Sequence, residues 1–169
     1  MQYLFKVAET PDEYDQIRRL NHRVFAEEVR QHEPTADGRL IDSREAVSRF
    51  FIAVCEGRVA GMVCTCAQRP FSVEKRLADP SILDTLAGPL LEARLLAIEP
   101  AYRKRMLFLG LLELMVATAI SDGFATLLIS GITTRQAMYQ RMGFQPLGPP
   151  TVSGAAEFTP MAMALPLPR

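Results

Sequence analysis

The sequence predicts an α/β fold, a mixed central sheet flanked by helices, and three observations predict it. In the second half of the chain, apolar runs of strand length alternate with helix-periodic segments, an order that asks for parallel pairing through a crossover helix. Near the start, Thr10-Pro11-Asp12-Glu13 combines an N-cap residue, a proline at the first helical position and an acid that closes a capping box. Between them, Glu56-Gly57-Arg58 splits two runs rich in β-branched and apolar residues, which marks a hairpin. The expected order is β-α-β-β-β-α-β-α-β-β in one domain spanning residues 1–169.

Each element has its own signal. Tyr3–Val7 is a short strand, and the helix opened by Thr10 carries Tyr14, Ile17, Leu20, Val24 and Phe25 on one face to about Gln31. His32–Arg44, with Pro34, Asp37 and Gly38, reads as a surface loop. Phe50–Cys55 and Val59–Cys66 are the hairpin strands. Gln68–Pro89 is an irregular, proline-bearing excursion with a short helix near Val73–Ala78, expected to be mobile or to face substrate. Leu91–Ile98 is a strand, Leu107–Ser121 a helix, Ala125–Ile129 a strand, and Thr134–Met142 a helix stopped by Gly143. Phe144–Leu147 and Met161–Leu165 close the sheet around a Gly/Pro loop.

Composition excludes several functions. Nineteen basic and nineteen acidic side chains cancel, so no global field draws nucleic acid or an anionic membrane. The longest apolar run, Met106–Ile120, is interrupted by Glu113 and falls short of the roughly 20 residues of a bilayer span. Three cysteines form an odd, sparse set and no signal peptide is evident, so a cytoplasmic location is expected. Cys64 and Cys66 share a strand face as small buried hydrophobes, and with His22 and His32 isolated no metal site is expected.

Two stretches carry a resemblance. LLAIEPAYR (Leu95–Arg103) followed by a long helix, a strand and YQRMGF (Tyr139–Phe144) resembles the GNAT superfamily of acyl-CoA-dependent N-acyltransferases over nearly the whole chain. Family members place an R/Q-x-x-G-x-G/A loop after the first stretch. Here Arg103 is kept while Met106 and Phe108 replace the glycines. The Y-x-x-x-G-F signature is met by Tyr139, Gly143 and Phe144, and the asparagine common seven residues before that tyrosine is Ile132. RVFAEE (Arg23–Glu28), Asp42 and EARL (Glu92–Leu95) are similar to the autoinducer synthases and N-acyl amino acid synthases, GNAT-like enzymes that in many cases draw the acyl chain from acyl carrier protein. There the family's earlier arginine is Asn21 and its E-x-x-R spacing is shortened to Glu92-x-Arg94.

The resemblance implies a donor cradle of strand amides at Leu96, Ala97 and Ile98 and a phosphate turn at Arg103, Lys104, Arg105, Met106, Leu107 and Phe108, where a helix start offers free N–H groups. The donor is then acetyl-CoA, a longer acyl-CoA or the acyl-phosphopantetheine of a carrier protein, with no metal. The basic triplet would also suit an acidic carrier protein. The other reading makes Met106 and Phe108 core residues and the triplet a solvated turn. Tyr139 is the candidate acid for the leaving thiolate, and Glu92 the candidate base, directly or through water. Arg94, on the same strand face at period two, is assigned with Phe25 to the substrate; a plain Glu92–Arg94 salt bridge is the alternative. Glu27 and Glu28 are secondary base candidates. The expected activity is transfer of an acyl group from a thioester to a primary amine by direct attack. Its rivals are an autoinducer-type synthase fed by long-chain acyl carrier protein and a non-catalytic thioester-binding module. Acceptor, chain length and oligomeric state, a homodimer included, are left open.

Overall fold

The computed structural model describes residues 2–166. They form two compact units that alternate along the chain: the first draws on Met1–Thr65 and Leu95–Ala117, the second on Cys66–Arg94 and Thr118–Arg169.

In the first unit, strand β1 (Leu4–Val7) pairs antiparallel with β2 (Ser48–Cys55), from Leu4 opposite Val54 to Val7 opposite Phe51. Strand β3 (Arg58–Cys66) returns beside β2. The turn between them is two residues long, and Glu56 and Gly57 both have positive φ, 50° and 74°, as the primed hairpin turns require. The next neighbour of β3 is β4 (Leu90–Ile98), whose last four residues belong to this unit.

Helix α1 (Pro11–Asn21) starts as its sequence predicts. The Thr10 hydroxyl accepts from the Glu13 amide at 3.2 Å, and the Glu13 carboxylate accepts from the amides of Thr10 and Glu9 at 3.1 and 2.8 Å. The helix runs on as a wider π-helical turn over His22–Glu28. Ile17, Leu20, Val24 and Phe25 pack with Phe50, Ile52, Met62, Cys64 and Ala97 in one apolar cluster. Helix α2 (Arg105–Ser121) begins two residues before its expected start. It buries Leu107, Leu111, Met115 and Ala119, a stripe at four-residue spacing, and Gly61 on β3 has no side chain where Leu107 and Leu111 come to rest.

In the second unit, Leu90–Glu92 of β4 run parallel to Thr126–Leu128 of β5 (Thr126–Ile132). Strand β8 (Ala156–Ala164) pairs antiparallel along all of β5, from Thr126 opposite Ala164 to Ile132 opposite Phe158. The short strands β6 (Gln145–Pro146) and β7 (Thr151–Ser153) both join β8. The sheet is mixed, as expected, and mostly antiparallel. Helix α3 (Gln136–Met142) is closed by Gly143 at φ 109°.

Two expectations need correction. The excursion after β3 is no loose insert: its short helix is a 3-10 turn at Ser72–Arg76, joined by a second at Pro80–Thr85, and it buries Phe71, Val73 and Leu83 against Leu128 and Ala162. The closing strand is longer than Met161–Leu165, because a tight turn at Gly154 (φ 61°) folds β7 back onto Ala156–Glu157–Phe158.

Glu13 offers a test of the cap. Its pKa is held at about 2, chiefly by the Glu9 amide, then by the Thr10 amide and Lys6. A folded-state pKa below the ordinary 4.5 gives stability that is present above that value and lost as pH falls toward 2. Glu13→Gln is expected to cost about 1 kcal/mol at pH 6, and the gap to wild type should close between pH 4.5 and 2 in chemical denaturation. A gap that does not change with pH would remove the carboxylate from the cap.

Candidate active site

The second unit carries titratable groups on both faces of its sheet. Because side chains alternate along β5, Leu128 and Ser130 face the 68–89 segment while Gly131 faces α3. Glu92 pairs with Leu128 and shares its face.

Glu92 is 1% exposed. One carboxylate oxygen accepts from the Ser72 amide at 3.1 Å and forms an ion pair with Arg94 Nε at 3.4 Å; the other accepts from the Val73 amide at 2.7 Å. Burial pushes its pKa up, and the two amides and Arg94 work against that push. The same-face relation expected for Glu92 and Arg94 holds, and the salt bridge between them is present.

Tyr139 lies on the opposite face. Its ring rests on Gly131, where a Cβ would stand 2.8 Å from Cδ2 and 2.9 Å from Cε2, and it meets Phe144 edge-on at 6.2 Å between centroids. Burial pushes its pKa above 10.0, so the phenol keeps its proton at neutral pH. Among the described residues its hydroxyl has no hydrogen-bond partner, which leaves it available to a ligand. Thr133, Thr159 and Gln136 are linked by contacts of 3.1 Å each, which fix the turn from β5 into α3.

The residues assigned to the donor belong to the first unit. Leu95, at φ +56°, kinks β4 ahead of Leu96, Ala97 and Ile98. Arg103 is exposed but engaged: its Nε donates to the Ile98 carbonyl at 3.0 Å, and its guanidinium forks onto Glu28. Beside it Arg23 pairs with Glu99. Lys104 and Arg105 are exposed. Met106 is 77% exposed, so the reading of Met106 as core is overturned; Leu107 is fully buried and Phe108 partly so. The first turn of α2 therefore presents a basic and apolar rim. Phe25, assigned to substrate from the sequence, is buried in the first unit's apolar cluster. Among the described residues no cluster of metal-ligating side chains occurs, and no helix is long and apolar enough to cross a membrane.

The family model of the N-acyl amino acid synthase FeeM matches residues 16–166. The chain belongs to the FeeM family. It is an acyltransferase that moves an acyl group from a thioester, of CoA or of a carrier protein, to an amine. No curated protein matches the chain. Among solved structures, it is similar to the CoA-dependent acyl-homoserine lactone synthase BjaI, determined with SAM and isopentyl-CoA, at 18% identity and TM-score 0.80, covering 98% of this chain and 84% of that one. FeeM from uncultured soil microbes aligns at 16% identity and TM-score 0.74, covering 99% and 92%. A putative N-acetyltransferase from Lactobacillus plantarum aligns at 16% and 0.71, covering 97% and 99%. At these identities the structures establish the fold, and the family match establishes the class. The non-catalytic module draws no support from them.

Sequence reasoning missed Gly131 and Arg76 at this site. A glycine inside a strand run signals a close approach, and Gly131 was legible in that way. Gly131→Ala is expected to displace the Tyr139 ring and lower turnover roughly tenfold or more, with donor binding retained. Steady-state kinetics beside calorimetric donor binding would decide it, and full turnover in the Gly131→Ala enzyme would show that the ring's seat is immaterial.

Proposed function

We propose that the protein is an N-acyl amino acid synthase in which the amine of an amino acid attacks a long-chain acyl thioester directly. The observation that carries this reading is the match of residues 16–166 to the N-acyl amino acid synthase family, with a buried carboxylate, Glu92, and a protonated phenol, Tyr139, in the second unit. In direct transfer the amine must lose a proton and the departing thiolate gain one, so a base and an acid are both needed. Glu92, its pKa raised by burial, takes the amine's proton directly or through a water. Tyr139, kept protonated by burial, gives its proton to the departing thiolate and regains one from solvent.

Membership of an N-acyl amino acid synthase family supports an amino acid acceptor. The pantetheine arm is read onto Leu96–Ile98, and the phosphate onto the exposed start of α2, where Lys104 and Arg105 supply charge. Met106 in place of a glycine favours a donor with a single phosphate, and the basic rim suits an acidic carrier protein. Three buried free thiols fit a reducing cytoplasm. The likeness to BjaI favours an autoinducer-type synthase as the second reading.

Tyr139→Phe is expected to lower kcat by about two orders of magnitude or more while leaving donor affinity intact; unchanged turnover would remove Tyr139 from the mechanism. Calorimetry with acetyl-CoA, a long-chain acyl-CoA and an acylated carrier protein separates the donors. Tightest binding is expected for the long-chain or carrier-borne donor, and equal or tighter binding of acetyl-CoA would overturn the long-chain reading.

A further inference from the structure

The sheet face that bears Glu92 also meets an arginine that, among the described residues, forms no ion pair. Arg76 closes the 3-10 turn Ser72–Arg76 and is half-buried. Its guanidinium lies 4.6 Å over the ring centre of Phe158. Its Nε donates to the Ser130 hydroxyl at 3.0 Å and its Nη1 to the Thr151 hydroxyl at 3.1 Å. Among the described residues no carboxylate lies within ion-pairing distance of it. Burial accordingly pushes its pKa down, while the charge of Glu92 opposes that push.

The other arginines of this unit are placed differently. Arg69 pairs with Glu74 and Asp84, Arg94 pairs with Glu92, and Arg135 and Arg141 are exposed to water. A guanidinium withdrawn from water without a counter-ion is costly, and two hydroxyls plus an aromatic face orient it without neutralising it. That combination holds Nη2 and the second Nη1 proton in a fixed direction. A planar fork so held matches a carboxylate in two parallel hydrogen bonds.

We propose that Arg76 binds the carboxylate of the acceptor amino acid. The inference rests on the reading of the protein as an N-acyl amino acid synthase, and it assigns the carboxylate to Arg76 where the sequence pointed to Arg94. The geometry explains the division of labour. Arg94 is paired with Glu92, whereas Arg76 feels the field of Glu92 and has no ion-pair partner among the described residues. An α-amino acid carries its amine and carboxylate on one carbon, so a carboxylate seated on Arg76 presents the amine on the face where Glu92 sits. Phe158 and Thr151 thereby become positioning residues, joined edge to edge in the β7–β8 hairpin.

The test pairs each acceptor with its carboxyl-free twin: leucine with 3-methylbutylamine, and tyrosine with tyramine, each with a long-chain acyl thioester as donor. For the wild type, KM is expected to be lower for the amino acid than for its amine. In Arg76→Met, KM for the amino acid should rise roughly 30-fold or more, with KM for the amine and kcat at saturation little changed. Arg76→Lys, which keeps the charge and spares the fold, should fall between, as should Ser130→Ala combined with Thr151→Val, which loosens the aim alone. If wild type prefers the amino acid but Arg76→Met and Arg76→Lys leave that preference intact, or weaken both acceptors equally, Arg76 is not the anchor and the synthase reading stands. A wild type indifferent to the carboxylate overturns the amino acid acceptor and the anchor together. Should no acceptor turn over, calorimetry of leucine and tyrosine with donor-loaded protein decides: binding lost in both Arg76 variants supports the anchor, and equal binding overturns it.

Discussion

A carboxylate can be buried in a sheet only if its charge is met from several sides at once, and the arrangement of the second unit follows from how Glu92 meets that condition. Withdrawing an ion from water costs several kcal/mol. Each hydrogen bond to a charged acceptor returns about 1.5–3 kcal/mol, so two bonds and the Arg94 ion pair offset part of the burial, which still raises the pKa. The two bonds come from consecutive amides, Ser72 and Val73, and a tight turn aims two neighbouring N–H groups at one carboxylate. The requirement therefore dictates the 3-10 turn at Ser72–Arg76 and pulls it onto the sheet. Phe71, Val73 and Leu83 then cover Leu128 and Ala162, and Arg76 is delivered over Phe158 at the turn's end. Arg94 completes the surroundings of Glu92 as an ion pair.

Strand β4 serves both units, and Leu95 is where its role changes. A non-glycine residue at φ +56° costs about 1–2 kcal/mol, so the kink is held by what lies on either side of it. Before it, Leu90–Glu92 are committed to parallel pairing with β5. After it, Ala97 is committed to the first unit's apolar cluster, and the chain leaves the strand with the Glu99 amide bonded to Ala60. Glu92 thus lies before the kink, and Leu96, Ala97 and Ile98 after it.

What the sequence made legible was local. The capping box of α1, the two-residue hairpin turn, the stop of α3 at Gly143 and the order of strands all follow from signals within a few residues, and the family motif picked out Tyr139. What it concealed was long-range. The 68–89 segment has no apolar period because its turns are fixed by a carboxylate 20 residues away from Ser72, so it reads as a loose excursion. Arg103 reads as a free phosphate ligand, since nothing near it in sequence announces Glu28, 75 positions earlier. Arg76 sits in a run of charged residues that looks solvated, and only the folded chain shows hydroxyls and an aromatic ring around it.

The three cysteines bear on how the acyl group travels. A covalent route would need an accessible thiolate to take the acyl group from the donor before the amine arrives. Cys55, Cys64 and Cys66 are free thiols between 0% and 2% exposed. None offers itself to a donor. With the thiols out of reach, direct attack of the amine on the thioester is the route we propose, with Glu92 and Tyr139 as its proton carriers.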